Sequence, residues 1–237
     1  MDIRNHVALV TGASRGLGLE TARLLARRGA KLALVARDPA PLELAARELR
    51  SLTHVLTIHA DVSQEAEEIV ARTLAHFGRL DILVNNASEL GPSPMPQLEH
   101  LEWQDFLRIV RVNVVAPLHL VQLALPALRN SPAPVIVNIS SDAGVNAYPG
   151  WGGYGASKAA LEHVSRTLAA ELEGQNVRVY VIDPGDMNTR MHQDAEPGVD
   201  LSHLPKPDVV APALLDIIEH ETAPFARFEA QKLMRVS

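Results

Sequence analysis

The segment Tyr154-Gly155-Ala156-Ser157-Lys158 places a phenol and an ammonium four residues apart, on one face of a predicted helix. A free phenol ionises near pH 10, so a tyrosine that exchanges protons near neutral pH needs its pKa lowered by about three units. A cation about 4 Å away, at an effective dielectric constant near 20, supplies roughly 4 kcal/mol, which is enough. The pair therefore predicts a proton-transfer site, although an exposed helix pair has the same spacing. Tyr148 has no such lysine.

A glycine-rich turn, Thr11-Gly12-Ala13-Ser14-Arg15-Gly16-Leu17-Gly18, follows the first predicted strand and precedes an amphipathic helix over residues 19–28. Glycines let the backbone approach a pyrophosphate, and the start of the helix offers unpaired N–H groups to the same anion. The alternative is a plain turn with incidental glycines, which the strand–turn–helix context disfavours. The spacing is G-x-x-x-G-x-G, which differs from the more common G-x-G-x-x-G of dinucleotide-binding turns.

The composition excludes several classes of function. With 237 residues, 47% of them hydrophobic, and a mean hydropathy of +0.03, the chain can form one domain with a continuous core. The net charge is −6, so no basic surface is predicted for nucleic acid or an anionic membrane. The absence of cysteine excludes disulfides and thiolate ligands and fits a reducing cytoplasm. The ten histidines show no metal-binding spacing, so we expect no metal site.

Two apolar segments indicate where in the cell the protein is located. Residues 7–10 end at Thr11-Gly12 and predict a buried strand, so we expect no secretory leader. Residues 112–128 are the most apolar long segment, but Asn113, His119 and two prolines interrupt it. That segment predicts a buried helix and not a membrane span. Together they predict a cytoplasmic protein.

Short apolar runs alternate with helical stretches along the chain. The candidate strands are residues 7–10, 32–36, 55–59, 82–85, 135–139 and 177–182. Strands that are apolar on both faces and separated by helices predict an α/β fold with a doubly wound parallel sheet, as one domain over residues 1–237. Ligands bind at the carboxyl edge of such sheets. Residues 91–96 and 196–212 predict loops, with a substrate loop at about 186–207.

The glycine spacing combined with Tyr-x-x-x-Lys resembles the short-chain dehydrogenase/reductase family, over about residues 7–189. The resemblance implies a Rossmann fold and further cofactor contacts. Asp61-Val62, after the third predicted strand, resembles the pair that holds the adenine, although Asp61 could also serve a turn before a helix capped by Ser63. Asn85-Asn86-Ala87 resembles the family's N-N-A-G motif, with Ser88 in place of the glycine.

Three more segments resemble the family's catalytic and nicotinamide-binding parts. Asn113 resembles the asparagine that interrupts a long helix and holds, through its backbone carbonyl, a water bonded to the lysine. Ser141 lies thirteen residues before Tyr154, the family's spacing for its catalytic serine, whereas Ser140 is the adjacent alternative. Asp183-Pro184-Gly185-Asp186-Met187-Asn188-Thr189 resembles the P-G loop, whose main chain and threonine bind the nicotinamide carboxamide.

The resemblance thus implies two sets of site residues. The catalytic set is Asn113, Ser141, Tyr154 and Lys158. The cofactor-binding set is Gly12, Ser14, Arg15, Gly16, Leu17, Gly18, Arg37, Asp61, Val62, Asn86, Ala87, Tyr154, Lys158, Pro184, Gly185, Met187 and Thr189.

The charge of the side chains that follow the second predicted strand indicates whether a protein of this family uses NAD or NADP. A carboxylate there would bond the ribose 2′-OH of NAD, whereas a guanidinium accommodates a 2′-phosphate. Ala36 stands where NAD-using relatives carry Asp, and Arg37 follows it. Arg15 resembles the second basic residue that NADP-using relatives place against the phosphate. Asp38 is the counter-argument, but we expect it to cap the next helix because Pro39 suits the first helical position. The expected cofactor is NADP(H).

The activity implied by the resemblance is hydride transfer between NADP(H) and a ketone, an aldehyde or a secondary alcohol. Tyr154 would act as the acid, Ser141 would orient the carbonyl oxygen, and Lys158 would lower the phenol pKa and bind the nicotinamide ribose. We expect the substrate wall to include Glu89, Leu90, Met95, Tyr148, Trp151, Met187, Met191 and His192. For His192, a surface position is favoured over a role as an acid or base.

Two other functions and an assembly state complete the expectations. One alternative is a non-catalytic NADP(H)-binding regulatory or scaffold protein of the same fold. The other is a nucleotide-sugar epimerase or dehydratase of the related longer branch, which the glycine spacing and the lack of a C-terminal substrate domain disfavour. We expect a homodimer through helices near residues 112–128 and 155–173, with a tetramer as a second option. Residues 225–237 lack the family's usual final V-D-G-G strand.

Overall fold

Seven parallel strands form one sheet in the order β3-β2-β1-β4-β5-β6-β7. The computed structural model of the chain describes residues 1–234. The strands are β1 (Val7–Thr11), β2 (Lys31–Ala36), β3 (Val55–His59), β4 (Ile82–Asn85), β5 (Val135–Ile139), β6 (Arg178–Asp183) and β7 (Phe225–Glu229). The strand order reverses between β1 and β4, and in sheets of this type ligands bind at that point, outside the carboxyl ends of the strands.

Helices cover both faces of the sheet. They are α1 (Gly16–Arg27), α2 (Pro39–Leu49), α3 (Ala66–Phe77), α4 (Trp103–Val110), α5 (Ala116–Leu128), α6 (Gly152–Glu171), α7 (Arg190–Ala195), α8 (Pro207–His220) and α9 (Ala230–Leu233). One apolar cluster packs α1, α2 and α8 on one face, and a second packs α3, α5 and α6 on the other. Because both faces of the inner strands are buried, the predicted doubly wound Rossmann sheet is confirmed.

The last strand is a correction to the sequence-based expectation. The V-D-G-G motif is absent, but β7 still pairs with β6 in parallel, with Val181 opposite Arg227. None of its five residues is fully buried, which is typical of an edge strand. Its half-exposed pattern lacks the continuous apolar run that marked the six predicted strands. Residues 235–237 of that C-terminal segment lie outside the described residues.

The predicted loop over residues 196–212 is wrong in its last part, because α8 begins at Pro207. Proline suits the first helical position, where its missing N–H is not needed, so Pro207 marks a helix start. Pro212 lies within α8 on the exposed side. The predicted substrate loop also contains the short helix α7, and the side chain of Thr189 caps it.

The predicted buried helix over 112–128 belongs to a longer helical run, Trp103–Leu128, with a mean hydropathy of 1.5. By length and composition alone this run could cross a membrane. In the structure, α5 packs its buried side into the second apolar cluster, as a core helix does. A π-helical turn at Arg111–Val115 joins α4 to α5, and the Ala116 N–H donates to the Arg111 carbonyl. Such turns are frequent at functional sites.

The start of α6 lies very close to the 3-10 turn after β5, Asp142–Gly144. A Cβ added at Gly155 would lie 2.5 Å from the Ala143 carbonyl oxygen, and one at Gly144 would lie 3.0 Å from the Ala159 nitrogen. Only glycine permits this approach at either position. The contact brings the Tyr154–Lys158 segment against the end of β5.

Candidate active site

The carboxyl ends of the strands open onto a cleft of about 1000 Å³. Its lining contains every predicted cofactor-binding residue except Gly18, and three of the predicted catalytic residues, Ser141, Tyr154 and Lys158. Gly18 lies beneath the wall, where an added Cβ would come within 2.5 Å of the Gly12 carbonyl oxygen. Asn113 is also behind the wall and is 1% exposed. The two residues would therefore support the site without contacting a ligand.

The glycine turn forms a cradle at the start of α1. Gly12 and Gly16 both adopt positive φ, at +65° and +58°. A Cβ at Gly12 would lie 2.7 Å from Asn86 Nδ2, whereas one at Gly16 would project into open space. Asn86 fixes the turn by donating to the Thr11 carbonyl oxygen at 2.9 Å. No side chain caps α1, and its first residues, Gly16 and Leu17, line the cleft, so the N–H groups of this turn are available to a pyrophosphate.

The end of the cleft after β2 carries positive charge. Arg15 and Arg37 are exposed and line the cleft, and within residues 1–234 neither guanidinium forms an ion pair. Asp38 instead caps α2, because its carboxylate accepts from the Ala40 N–H at 3.2 Å and Pro39 is the first helical residue. The arrangement predicted for this corner is therefore present. It offers two guanidiniums to an anion and leaves the adjacent carboxylate engaged.

Asp61 is held by a turn. Its Oδ1 accepts from the Ser63 N–H at 2.9 Å and from the Ser63 hydroxyl at 2.7 Å, while Asp61 and Val62 both line the cleft. The idea that Ser63 caps the next helix is wrong, because α3 begins at Ala66 and no side chain caps it. One carboxylate oxygen of Asp61 is thus committed to the turn at the predicted adenine position.

Tyr154 and Lys158 are both buried at the opposite end of the cleft. The Lys158 ammonium donates to the Ile139 carbonyl oxygen at 2.8 Å and lies 5.3 Å from the centre of the Tyr154 ring. Burial raises the pKa of Tyr154 above its ordinary value, and hydrogen bonds from the hydroxyls of Ser88 and Ser141 oppose that rise. Burial lowers the pKa of Lys158 to about 7.

The lysine therefore does not bring the Tyr154 pKa below its ordinary value in this structure, contrary to the prediction, because burial raises that pKa. The physical reason is that both groups lose hydration, which disfavours the charged form of each. In addition, the ammonium of Lys158 is hydrogen-bonded to the Ile139 carbonyl oxygen. The phenol is consequently protonated near neutral pH, as an acid must be before it donates.

Ser141 is positioned by the turn that follows β5. Its hydroxyl donates to Asp142 Oδ1 at 3.2 Å and accepts from the Ala143 N–H at 3.2 Å. The Tyr148 hydroxyl donates to Asp142 Oδ2 at 2.6 Å, and this bond raises the pKa of Tyr148. Tyr148 is 43% exposed and is not part of the cleft lining. Tyr154 is thus the tyrosine that shares the cleft with Ser141.

Asn113 occupies the π-helical turn, where its side chain makes four hydrogen bonds. Its Oδ1 accepts from the Glu89 N–H at 2.8 Å and from the Ser88 hydroxyl at 3.1 Å. Its Nδ2 donates to the Glu89 carbonyl at 2.8 Å and to the Ser157 hydroxyl at 2.9 Å. Because Glu89 offers one backbone donor and one backbone acceptor, the orientation of this amide is fixed. Asn113 therefore ties the loop after β4 to α6.

The predicted nicotinamide-binding segment follows β6. Gly185 has φ of +70°, and its N–H donates to Asp183 Oδ1 at 2.9 Å. The Thr189 hydroxyl accepts from the His192 N–H at 3.1 Å as the cap of α7. Pro184, Gly185, Met187 and Thr189 all line the cleft. The turn therefore presents its main chain to the same end of the cleft as Tyr154.

The substrate side of the cleft is mostly apolar. Of the predicted wall residues, those present in the lining are Glu89, Leu90, Trp151, Met187, Met191 and His192. Met95 and Tyr148 are not. The surface position expected for His192 is wrong: its side chain is 12% exposed, and its ring lies 6.3 Å from that of Trp151, which lies 5.9 Å from Tyr154. His192 Nε2 is 3.3 Å from Glu196.

Sequence reasoning missed the charged side chains behind the cleft, above all the buried Glu162 and the half-buried Arg227. Glu162 could have been found from its position four residues after Lys158 on the same helix. Arg227 gave no such signal, because its strand was not predicted. Within residues 1–234, no group of three or more His, Asp or Glu side chains is arranged to hold a metal ion.

Comparisons with known proteins agree with this geometry. The family model for short chain dehydrogenases matches residues 6–200. An uncharacterised oxidoreductase of Thermotoga maritima is 37% identical over 186 residues, which are 78% of this chain and 73% of the relative. A protein of Escherichia coli CFT073 that is classed as a short chain dehydrogenase, solved with NADPH, is 31% identical with a TM-score of 0.86, covering 97% of this chain and 98% of that one. An alcohol dehydrogenase of Thermococcus sibiricus, solved with 5-hydroxy-NADP, is 31% identical with a TM-score of 0.84. The match covers 94% of this chain and 95% of that one.

Proposed function

Because the chain belongs to the short-chain dehydrogenase/reductase family of oxidoreductases, we propose that it is an NADP(H)-dependent enzyme that interconverts a ketone or aldehyde and the corresponding alcohol. The proposal rests on the arrangement of polar and charged side chains in one cleft. The hydroxyls of Ser141 and Tyr154 meet at one end beside Lys158, and two guanidiniums without ion pairs within residues 1–234 lie at the other. A binding protein of this fold would not require the first group.

The residues of the cleft fit the cofactor at three places. The uncapped start of α1 and the open space at Gly16 suit a pyrophosphate. Arg15 and Arg37 suit a 2′-phosphate, which two guanidiniums can bind through charge-assisted hydrogen bonds. The turn from Pro184 to Thr189 suits the nicotinamide carboxamide. When bound, the nicotinamide supplies the hydride in reduction and accepts it in oxidation.

In the reducing direction, Tyr154 donates its phenolic proton to the substrate carbonyl oxygen as negative charge develops there. Its raised pKa keeps that proton in place until the substrate binds. The Ser141 hydroxyl leaves the long 3.2 Å bond to Asp142 and donates to the same oxygen. The phenolate that remains is stabilised by the Ser88 hydroxyl, whose hydrogen bond lowers the pKa of Tyr154, and by the positive charge of Lys158. Asn113, by family resemblance, supports proton return through a water on its backbone carbonyl.

The proposal is tested by following NADPH oxidation with a panel of ketones and aldehydes, in wild type and two tyrosine variants. Tyr154→Phe removes the acid and little packing, so we expect turnover to fall by at least about a hundredfold with the Kd for NADPH almost unchanged. Tyr148→Phe is the matched control, and we expect little effect because that tyrosine is not part of the cleft lining. No turnover with any carbonyl but normal NADPH binding would favour the regulatory or scaffold alternative. A comparable loss in both variants would contradict the role of Tyr154.

We also propose a homodimer in the cytoplasm. Trp103, Leu107 and Val115 on the long helical run are each more than half exposed, and Ala156 and Ala159 on α6 present small side chains that permit close helix contact. The lack of cysteine is compatible with a reducing compartment. Sedimentation of the purified chain tests the assembly: we expect a dimer that Leu107→Glu dissociates, and a monomer at all concentrations would contradict it.

A further inference from the structure

A buried charged network lies behind the catalytic pair and takes no part in the proposed mechanism. Glu162, on α6, is 6% exposed. Its Oε1 accepts from the Ser140 hydroxyl at 2.6 Å, and Arg227 Nε lies 3.0 Å from both carboxylate oxygens. These contacts offset the cost of burying the Glu162 carboxylate. Arg227 comes from β7, so the network joins the last strand to the catalytic helix.

The network and the catalytic pair hold the same short piece of chain. Ile139 ends β5, and its carbonyl oxygen accepts from Lys158 at 2.8 Å. The next residue, Ser140, donates to Glu162, which lies four residues after Lys158 on one face of α6. Ser141 follows directly. Two consecutive residues before the predicted catalytic serine are thus bonded to side chains one helical turn apart.

The charges around this network can be assigned to their elements. Besides Glu162, Arg227 faces Asp183 at the end of β6, with 3.6 Å from its guanidinium to Oδ2, and Glu229 on β7 at 3.8 Å. Arg227 therefore stands between three carboxylates. Lys158 faces the Tyr154 ring on its own helix and the Ile139 carbonyl on β5. The negative charge of Glu162 opposes the lowering of the Lys158 pKa by burial.

We propose that Glu162 is a positioning residue: held by Ser140 and Arg227, it places a negative charge one helical turn from Lys158 and keeps that ammonium charged and bonded to the end of β5. The use of this charge in catalysis rests on the proposed function. The effect on Lys158 itself does not, because it follows from the geometry of the protein alone. Removing the charge of Glu162 while keeping its shape should therefore change Lys158 first.

The experiment measures the titration of Lys158 directly. The chain has only four lysines, so a sample with ¹³C-labelled lysine gives few ε-CH₂ signals, and Lys158→Arg assigns the one of interest. In Glu162→Gln the side chain can still accept from Ser140, but the charge is gone. We expect the titration midpoint of Lys158 to fall by about one unit, a tenfold change in proton affinity. Glu219→Gln is the matched control, because Glu219 is a part-buried, ion-paired glutamate on α8, and we expect no shift there.

The titration of Lys158 can contradict the proposal in two ways. An unchanged midpoint in Glu162→Gln, or equal shifts in both variants, would overturn the proposal. If Glu162→Gln does not fold, Glu162→Asp replaces it, because the shorter side chain keeps the charge but moves it away from Lys158. That variant should lower the midpoint by a smaller amount, and no change would again overturn the proposal.

Turnover and cofactor binding form the second arm. We expect NADPH binding, followed by fluorescence, to weaken at a lower pH in Glu162→Gln than in wild type. The alkaline limb of the pH profile of kcat should move to lower pH by the same amount. A simple loss of folding stability would lower the fraction of active enzyme without moving that limb. If wild type turns over no carbonyl, the proposed function fails while the titration of Lys158 still decides the role of Glu162.

Discussion

At the scale of single residues, burial outweighs charge in this site. An ammonium 4 Å from a phenol could lower the phenol pKa by the required amount, but Lys158 and Tyr154 are both buried, and the Lys158 ammonium is hydrogen-bonded to the Ile139 carbonyl oxygen. The loss of hydration then determines both shifts, and the Tyr154 proton is retained. A protonated phenol is the form that the proposed carbonyl reduction needs.

Ser88 illustrates how one departure from a family motif changes the local chemistry. Asn113 Oδ1 can only accept, and it takes the hydrogen of the Ser88 hydroxyl. The Ser88 hydroxyl has a single hydrogen, so it can serve Asn113 or the Tyr154 phenol in turn, and when it is directed at the phenol it opposes the rise of the Tyr154 pKa. A glycine at this position would offer no such group. Tyr154 therefore has two neighbouring serine hydroxyls in place of one.

Cofactor choice is a prediction about two guanidiniums. We expect kcat/KM with NADPH to exceed that with NADH by at least about tenfold, equivalent to roughly 1.4 kcal/mol, because Arg37 and Arg15 can bind a 2′-phosphate. In Arg37→Ala most of this preference should disappear. The measurement is kcat/KM for both cofactors with one carbonyl substrate.

The matched control is Arg47→Ala, which removes an exposed guanidinium of α2 that is not part of the cleft lining. It should leave the preference unchanged, which separates a local contact from the effect of net charge. Equal values for the two cofactors in wild type, or a preference for NADH, would contradict the prediction. That result would mean that Asp38 leaves its cap on α2 to bind a ribose hydroxyl.

At the scale of elements, the sequence predicted what local patterns determine. The first six strands were found because a continuous apolar run is a local signal. The role of Asp38 as the cap of α2 was also found from a local signal, because Asp is followed there by Pro at the first helical position. The glycine turn was predicted from its spacing and its place between a strand and a helix, and Gly12 and Gly16 adopt positive φ there.

The elements that were missed depend on partners far along the chain. β7 is a half-exposed edge strand, and its place is set by pairing with β6, about 45 residues earlier. The π-helical turn follows from the contacts of Asn113 with the loop after β4, 24 residues away. The ion pair between Glu162 and Arg227 spans 65 residues. No window of local sequence reports such contacts, so the support behind the cleft could not be predicted.

At the scale of the whole molecule, the burial of Lys158 predicts a pH dependence of folding stability. In the unfolded chain a lysine titrates near pH 10.4, whereas burial lowers the pKa of Lys158 to about 7. Between those values the unfolded state binds more protons than the folded state, so stability rises with pH. The contribution is smallest below about pH 7 and complete above about pH 10. The shift sets an upper limit of about 5 kcal/mol on the change.

Comparing wild type with Lys158→Met isolates this contribution, because all other groups, Tyr154 included, titrate in both proteins. We expect the free energy of unfolding, from urea titrations, to rise in wild type relative to Lys158→Met as the pH increases from 7 to 10. Lys206→Met is the control, because that lysine is exposed and its removal should give a difference that is constant with pH. A constant difference for Lys158→Met as well would show that the ammonium is not desolvated. A hydrated Lys158 would imply a hydrated phenol beside it, and burial would then no longer explain why Tyr154 keeps its proton.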